Sequence, residues 1–156
     1  MTKNNLLILL TVFLSLGALA QSTVEPAIYD SLLSKKLGAD KYGMKKYVLA
    51  FLSTGPVKLE DPAERAKLQK AHLKNITRMA EEGKLIVAGP FLDNQRIRGI
   101  YIFNVETIEE AKKLTETDPA IIAGTLEMEL HPWYGSAALM EIPAIHKTLE
   151  VKNVAE

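Results

Sequence analysis

Lys45-Lys46-Tyr47-Val48-Leu49-Ala50-Phe51-Leu52-Ser53, closed by Gly55-Pro56, is the stretch on which the fold turns. Its apolar, aromatic and β-branched residues, stopped by a Gly-Pro pair, predict a strand over residues 45–53. Tyr47, Leu49 and Phe51 face one side of that strand, and Val48, Ala50 and Leu52 face the other. Residues 99–105 repeat the pattern: Ile100 and Ile102 oppose Tyr101 and Phe103. A sheet with one wet face alternates apolar with polar residues, so a sheet built from these strands must be covered on both sides.

Between the two strands lies Asp61-Pro62-Ala63-Glu64, a helix start with Asp61 as N-cap and Pro62 in the first helical position. The helix is expected to run to Glu82 and stop at Gly83. Its inward stripe reads as Leu68, Ala71, Asn75, Ile76, Met79 and Ala80, with Leu73 at the margin. A short strand over residues 85–88 then ends at Gly89-Pro90, before a polar loop over residues 93–96. After the strand over residues 99–105, Thr107 and Glu110 form a capping box for a helix through Leu114. Asp118-Pro119 starts a shorter turn ending at Gly124, and a last strand over residues 126–130 is expected to stop at His131-Pro132. Short helices are expected over residues 26–37 and 143–149. The order β-α-β-β-α-β is the ferredoxin-like arrangement, an α+β fold with two helices on one face of a four-stranded antiparallel sheet. Helices cover one face only. The other is expected to meet a second copy of the chain, with the chain's own terminal extensions as the alternative cover.

The chain has 156 residues, 47% hydrophobic and 24% charged, which suits a single domain. It contains no cysteine, which excludes disulfides, thiolate metal sites and a cysteine nucleophile. With 19 basic and 19 acidic residues it lacks the basic excess of a nucleic-acid binder. Lys3, an apolar run over residues 6–16 and Ala18-Leu19-Ala20 read as a signal peptide, too short for a membrane span. Export is therefore expected, to the periplasm or beyond, with residues 1–20 removed and no lasting membrane insertion.

Several segments carry a resemblance. They are Lys70-Ala71-His72-Leu73, the run from Glu82 to Gly89-Pro90, Gly99-Ile100-Tyr101-Ile102-Phe103-Asn104-Val105 and Ile108-Glu109-Glu110-Ala111. Thr117-Asp118-Pro119-Ala120 and Glu129-Leu130-His131-Pro132-Trp133 complete the set. In this order they resemble the YCII-related (YciI-like) domain family over residues 44–133. Extensions flank it over residues 21–43 and 134–156; the lead from Tyr29 to Met44, with Lys36-Leu37-Gly38-Ala39-Asp40, and the tail Trp133-Tyr134-Gly135 resemble a secreted bacterial branch. The resemblance implies a dimeric α+β barrel and a small-molecule enzyme with a His-Asp pair in a cleft. Most members have no assigned reaction. A few are linked to dehalogenation of aromatic-ring compounds, and distant relatives of the barrel include oxygenases and lactone isomerases. The pair falls here on His72 and Asp118. Many members carry an aromatic residue after Asp-Pro where this chain has Ala120, which is expected to widen or reshape the pocket.

An imidazole can take or give a proton near neutral pH, and a carboxylate on its other ring nitrogen fixes the tautomer. His72 also reads as a helix-boundary residue, and Asp118 as a plain N-cap for Pro119. Gly89 and Pro90, first a strand stop, and Trp133, at a pocket rim or over the core, are the candidate substrate-binding residues. Arg96 and Arg98 read as solvated loop charges, with an anionic ligand as the alternative. His131 is expected on a strand face with Glu127 and Glu129, and His146 on the surface. Asn75-Ile76-Thr77 matches a glycosylation sequon but lies on the inward helix stripe. No phosphate loop or dinucleotide fingerprint is present, and no metal or cofactor is expected. Three functions remain open: a lyase, isomerase or hydrolase working through His72 and Asp118, a non-catalytic ligand-binding or stress-associated module, or a purely structural dimer without a cleft.

Overall fold

A computed structural model describes residues 28–93 and 95–155 of the chain. The expected signal peptide over residues 1–20 lies outside the described residues. The elements are α1 (Ser31–Leu37), β1 (Met44–Thr54), α2 (Pro62–Glu81), β2 (Leu85–Pro90) and β3 (Ile97–Phe103). Then come α3 (Ile108–Thr115), α4 (Pro119–Ile122), β4 (Leu126–Ser136), a 3-10 turn (Ala137–Glu141) and α5 (Ile142–Lys147). The four strands form one sheet in the order β2-β3-β1-β4. Every pairing is antiparallel, the α+β arrangement that a ferredoxin-like order demands.

The two apolar faces of β1 feed two separate cores. Val48, Ala50 and Leu52 join Tyr101 and Phe103 beneath the helices, packed with Met79, Leu85 and Ala111. Tyr47 joins Ile86 and Ile102 on the opposite face, where Leu139 and Met140 pack over them. The chain's own C-terminal segment therefore covers part of the helix-free face. Phe51 and Ile100, paired in the next row across the sheet, are half-buried and lie outside that cluster.

Several boundaries differ from the sequence reading, each for a physical reason. The last strand does not stop at His131-Pro132 but runs on to Ser136, with Pro132 opposite Val48. β4 is an outer strand, where a missing N–H costs no ladder bond. β2 likewise continues through Gly89-Pro90 along the other outer edge. β3 begins at Ile97 rather than Gly99, because a bulge lets Ile97 pair with Ser53. α1 begins at Ser31, since the Asp30 carboxylate captures the Leu32 and Leu33 N–H groups at 3.0 and 2.9 Å. The terminal helix starts at Ile142, after the 3-10 turn. α2 follows its signals closely: Asp61 caps it through the Ala63 N–H at 2.9 Å, and Gly83 turns the chain out at φ +67°.

Candidate functional site

His72 sits in the middle of α2, and its placement corrects the expected stripe. The buried line is His72, Asn75 and Met79, while Leu68, Ala71, Ile76 and Ala80 are only half-buried. Spacings of three and four residues put the buried side chains on one helical face. That face meets α4 and β2, so the imidazole points into the molecule with 7% of its surface exposed.

Asp118 receives it. Its carboxylate lies 2.8 Å (Oδ2) and 3.0 Å (Oδ1) from His72 Nδ1, and the residue is fully buried. Oδ1 also accepts the Ala120 N–H at 2.9 Å, capping α4. One residue thus serves as cap and as histidine partner. An ionised carboxylate only accepts hydrogen bonds, so with Asp118 ionised Nδ1 donates to it, and in the neutral ring Nε2 keeps its lone pair.

The approach to Asp118 is braced from α2. Arg78 donates to Asn75 Oδ1 and to Thr117 Oγ1, each at 2.9 Å, and Thr117 Oγ1 lies 3.2 Å from Asn75 Oδ1. This network ties the residue before Asp118 to the helix that carries His72. It also explains why the sequon asparagine is buried with its amide oxygen engaged.

Tyr101, which the sequence shows only as a core residue of β3, completes the arrangement. Its hydroxyl lies 3.4 Å from His72 Nε2, and the two rings stack at 19° with centroids 6.4 Å apart. Burial, and secondarily the Asp118 charge, raise the phenol well above its ordinary range. The hydroxyl therefore stays protonated and can donate to Nε2. The signal that might have revealed it is general: a tyrosine on a helix-covered sheet face needs a partner for its hydroxyl.

A cavity of about 490 Å³ opens beside His72 and Tyr101. Its apolar wall includes Leu52, Leu73, Ile76 and Leu126, and Val154 of the C-terminal tail closes one side. Asn153 holds that tail on α2 by accepting the Thr77 hydroxyl at 3.3 Å. Gly89 and Pro90 line the cavity, as does Gly99, whose added Cβ would lie 2.5 Å from the Gly89 carbonyl oxygen. Trp133 does not. The alternation of β4 puts it on the helix-free face, where its ring lies over Gly135 and 5.8 Å from that of Tyr47. Ala120 is buried behind Asp118 and does not line the cavity.

The other histidines stand apart. His131 shares its face with Glu129, 3.2 Å away, and meets Phe51 edge-on; His146 lies 3.7 Å from Glu150. Among the described residues no group of three or more His, Asp or Glu side chains gathers where a metal ion could sit. No helix among them is long and apolar enough to cross a membrane.

Comparison with known proteins agrees with this architecture. The chain is 29% identical over 62 residues to the uncharacterized protein YjpA of Bacillus subtilis (strain 168), a stretch covering 40% of this chain and 71% of that protein. The YCII-related domain matches residues 46–134, a span that holds the whole sheet core, His72, Tyr101 and Asp118. The chain belongs to the YCII-related domain family.

Proposed function

We propose that the chain is an enzyme acting on a small molecule in the His72 cavity, with His72 Nε2 as the group that takes and returns a proton. Asp118 orients the ring and balances the charge it gains, and Tyr101 holds Nε2 until substrate displaces its long hydrogen bond. The reaction type is a proton-transfer lyase, isomerase or hydrolase step. One observation carries this reading: the imidazole has its inner nitrogen on a buried carboxylate and itself lines a cavity.

The test is a metabolite screen followed by proton NMR for product. His72→Ala is expected to lose about 10²-fold or more in turnover, and Asp118→Asn a smaller factor. A folded His72→Ala chain with full turnover overturns the proposal. A second reading, an exported ligand-binding or stress-associated module, draws support from Asp118, which already has a complete structural task as the cap of α4. Compounds that bind and are never converted favour it.

The proposal takes the working unit as a homodimer joined through the part of the helix-free face around Phe51 and Ile100, and places it outside the cytoplasm on the strength of residues 1–20. Sedimentation equilibrium is expected to give twice the chain mass, and Phe51→Glu to give the single-chain mass. A single-chain mass for the native sequence overturns the dimer.

A further inference from the structure

One residue with a permanently charged side chain, Arg98, lines the His72 cavity, and backbone geometry puts it there. β1 pairs Leu52 with Gly99 and then Ser53 with Ile97, so Arg98 is the extra residue of a β-bulge. Strict alternation from Ile102 through Ile100 would send Arg98 to the helix-free face. The bulge breaks that alternation, and Arg98 lines the cavity together with His72, Tyr101 and Gln69. Bulges re-aim side chains in this way beside functional sites.

The surroundings leave the guanidinium largely uncommitted. Its one bond to a described residue runs from Nη1 to the Gln95 carbonyl oxygen at 3.5 Å, the outer limit of a hydrogen bond. Among the described residues it has no carboxylate partner, and no Asp or Glu lines the cavity. Asp118 is the nearest acidic member of the site, and it is sealed behind the imidazole with no exposed surface. The remaining wall is apolar or bare backbone: Leu52, Leu73, Ile76 and Leu126, with Gly89 and Gly99 at the sheet edge.

We infer that Arg98 is a specificity-determining residue, and that the ligand of this cavity is a small carboxylate with an apolar body. A planar carboxylate matches the guanidinium fork in two parallel bonds, and a pocket otherwise poor in charge gives that pair its weight. The apolar body lies along the leucine and isoleucine wall. This assignment rests on the reading of the cavity as a substrate site, and it names the class of substrate that His72 would deprotonate.

The test is calorimetric titration of the full chain with two matched pairs, benzoate against benzamide and hexanoate against hexanamide. The native chain is expected to bind an acid about tenfold or more tightly than its amide. Arg98→Gln brings that ratio close to one without weakening the amide, and Arg98→Lys restores part of the preference. Equal affinity for acid and amide, no binding of either acid at millimolar concentration, or a preference that survives in Arg98→Gln each overturns the inference. His72→Asn separates this from the catalytic proposal. An acid preference that depends on Arg98 and persists in His72→Asn supports the anion site even where no turnover exists. His72-dependent turnover with an acid-to-amide ratio indifferent to Arg98 overturns the anion site alone.

Discussion

Tyr47 and Tyr101 are both buried, with 1% and 2% of their surface exposed, yet they stand on opposite faces of one sheet and do different things. On the helix-free face the Tyr47 hydroxyl donates to the Ser136 carbonyl oxygen at 3.0 Å, a bond within the chain's own sheet. On the helix-covered face the Tyr101 hydroxyl meets an imidazole that leans on a buried carboxylate. The first is a polar atom satisfied inside an apolar packing unit. The second belongs to a chain of titratable groups at a cavity wall. The contrast teaches that burial and aromatic character do not mark a functional residue; the chemistry of the hydrogen-bond partner does.

The largest break in that comparison is expected from Asp118. Asp118→Ala removes the cap of α4 and strips the buried imidazole of its partner. Losing one side of a buried pair costs about 3 kcal/mol or more, read as a lower urea midpoint at unchanged slope. Asp118→Asn keeps an oxygen for the Ala120 N–H and is expected to cost less. A loss below about 1 kcal/mol for Asp118→Ala would show that the pair carries little of the helix-face stability.

Much of this was legible in the sequence, and the gaps have physical causes. The two-faced strand at Tyr47 to Leu52 and the caps at Asp61, Thr107 and Asp118 fixed the element order, because alternation and capping are local. The histidine and its acid were also legible, as a resemblance. What failed was any feature needing a register between distant strands. The bulge at Arg98 depends on how β3 pairs with β1, so Arg98 read as a loop charge. Pro132 read as a stop because its tolerance depends on β4 being an outer strand. Trp133 reads as a pocket rim or a cover over the core, because the choice depends on β4 continuing past Pro132, which puts its side chain on the helix-free face. On α2 the expected stripe holds Asn75 and Met79 but omits His72, because composition favours Ala71 inward whereas the meeting with α4 turns His72 in.

The finer test swaps each tyrosine for phenylalanine. Tyr47→Phe and Tyr101→Phe each delete one hydroxyl, and each is expected to cost about 1 kcal/mol near neutral pH. Only Tyr101→Phe is expected to alter turnover, since only its hydroxyl touches His72. Alkaline unfolding separates the pair further. Burial raises both phenols, and Tyr101 carries the added push of the Asp118 charge. Unfolded tyrosines ionise near pH 10, so below that both states hold the proton and these groups contribute no slope. Above about pH 10 the unfolded chain releases protons that the native chain retains. The difference in bound protons between unfolded and native states is then negative, and stability falls by up to about 1.4 kcal/mol per pH unit for each retained proton. Tyr134, raised chiefly by its hydrogen bond to Asp40, titrates alike in both variants and drops out of the comparison. Tyr101→Phe is therefore expected to flatten the alkaline limb more than Tyr47→Phe does. Equal flattening would mean that burial and the Asp118 charge together hold the Tyr101 proton no better than burial alone holds that of Tyr47.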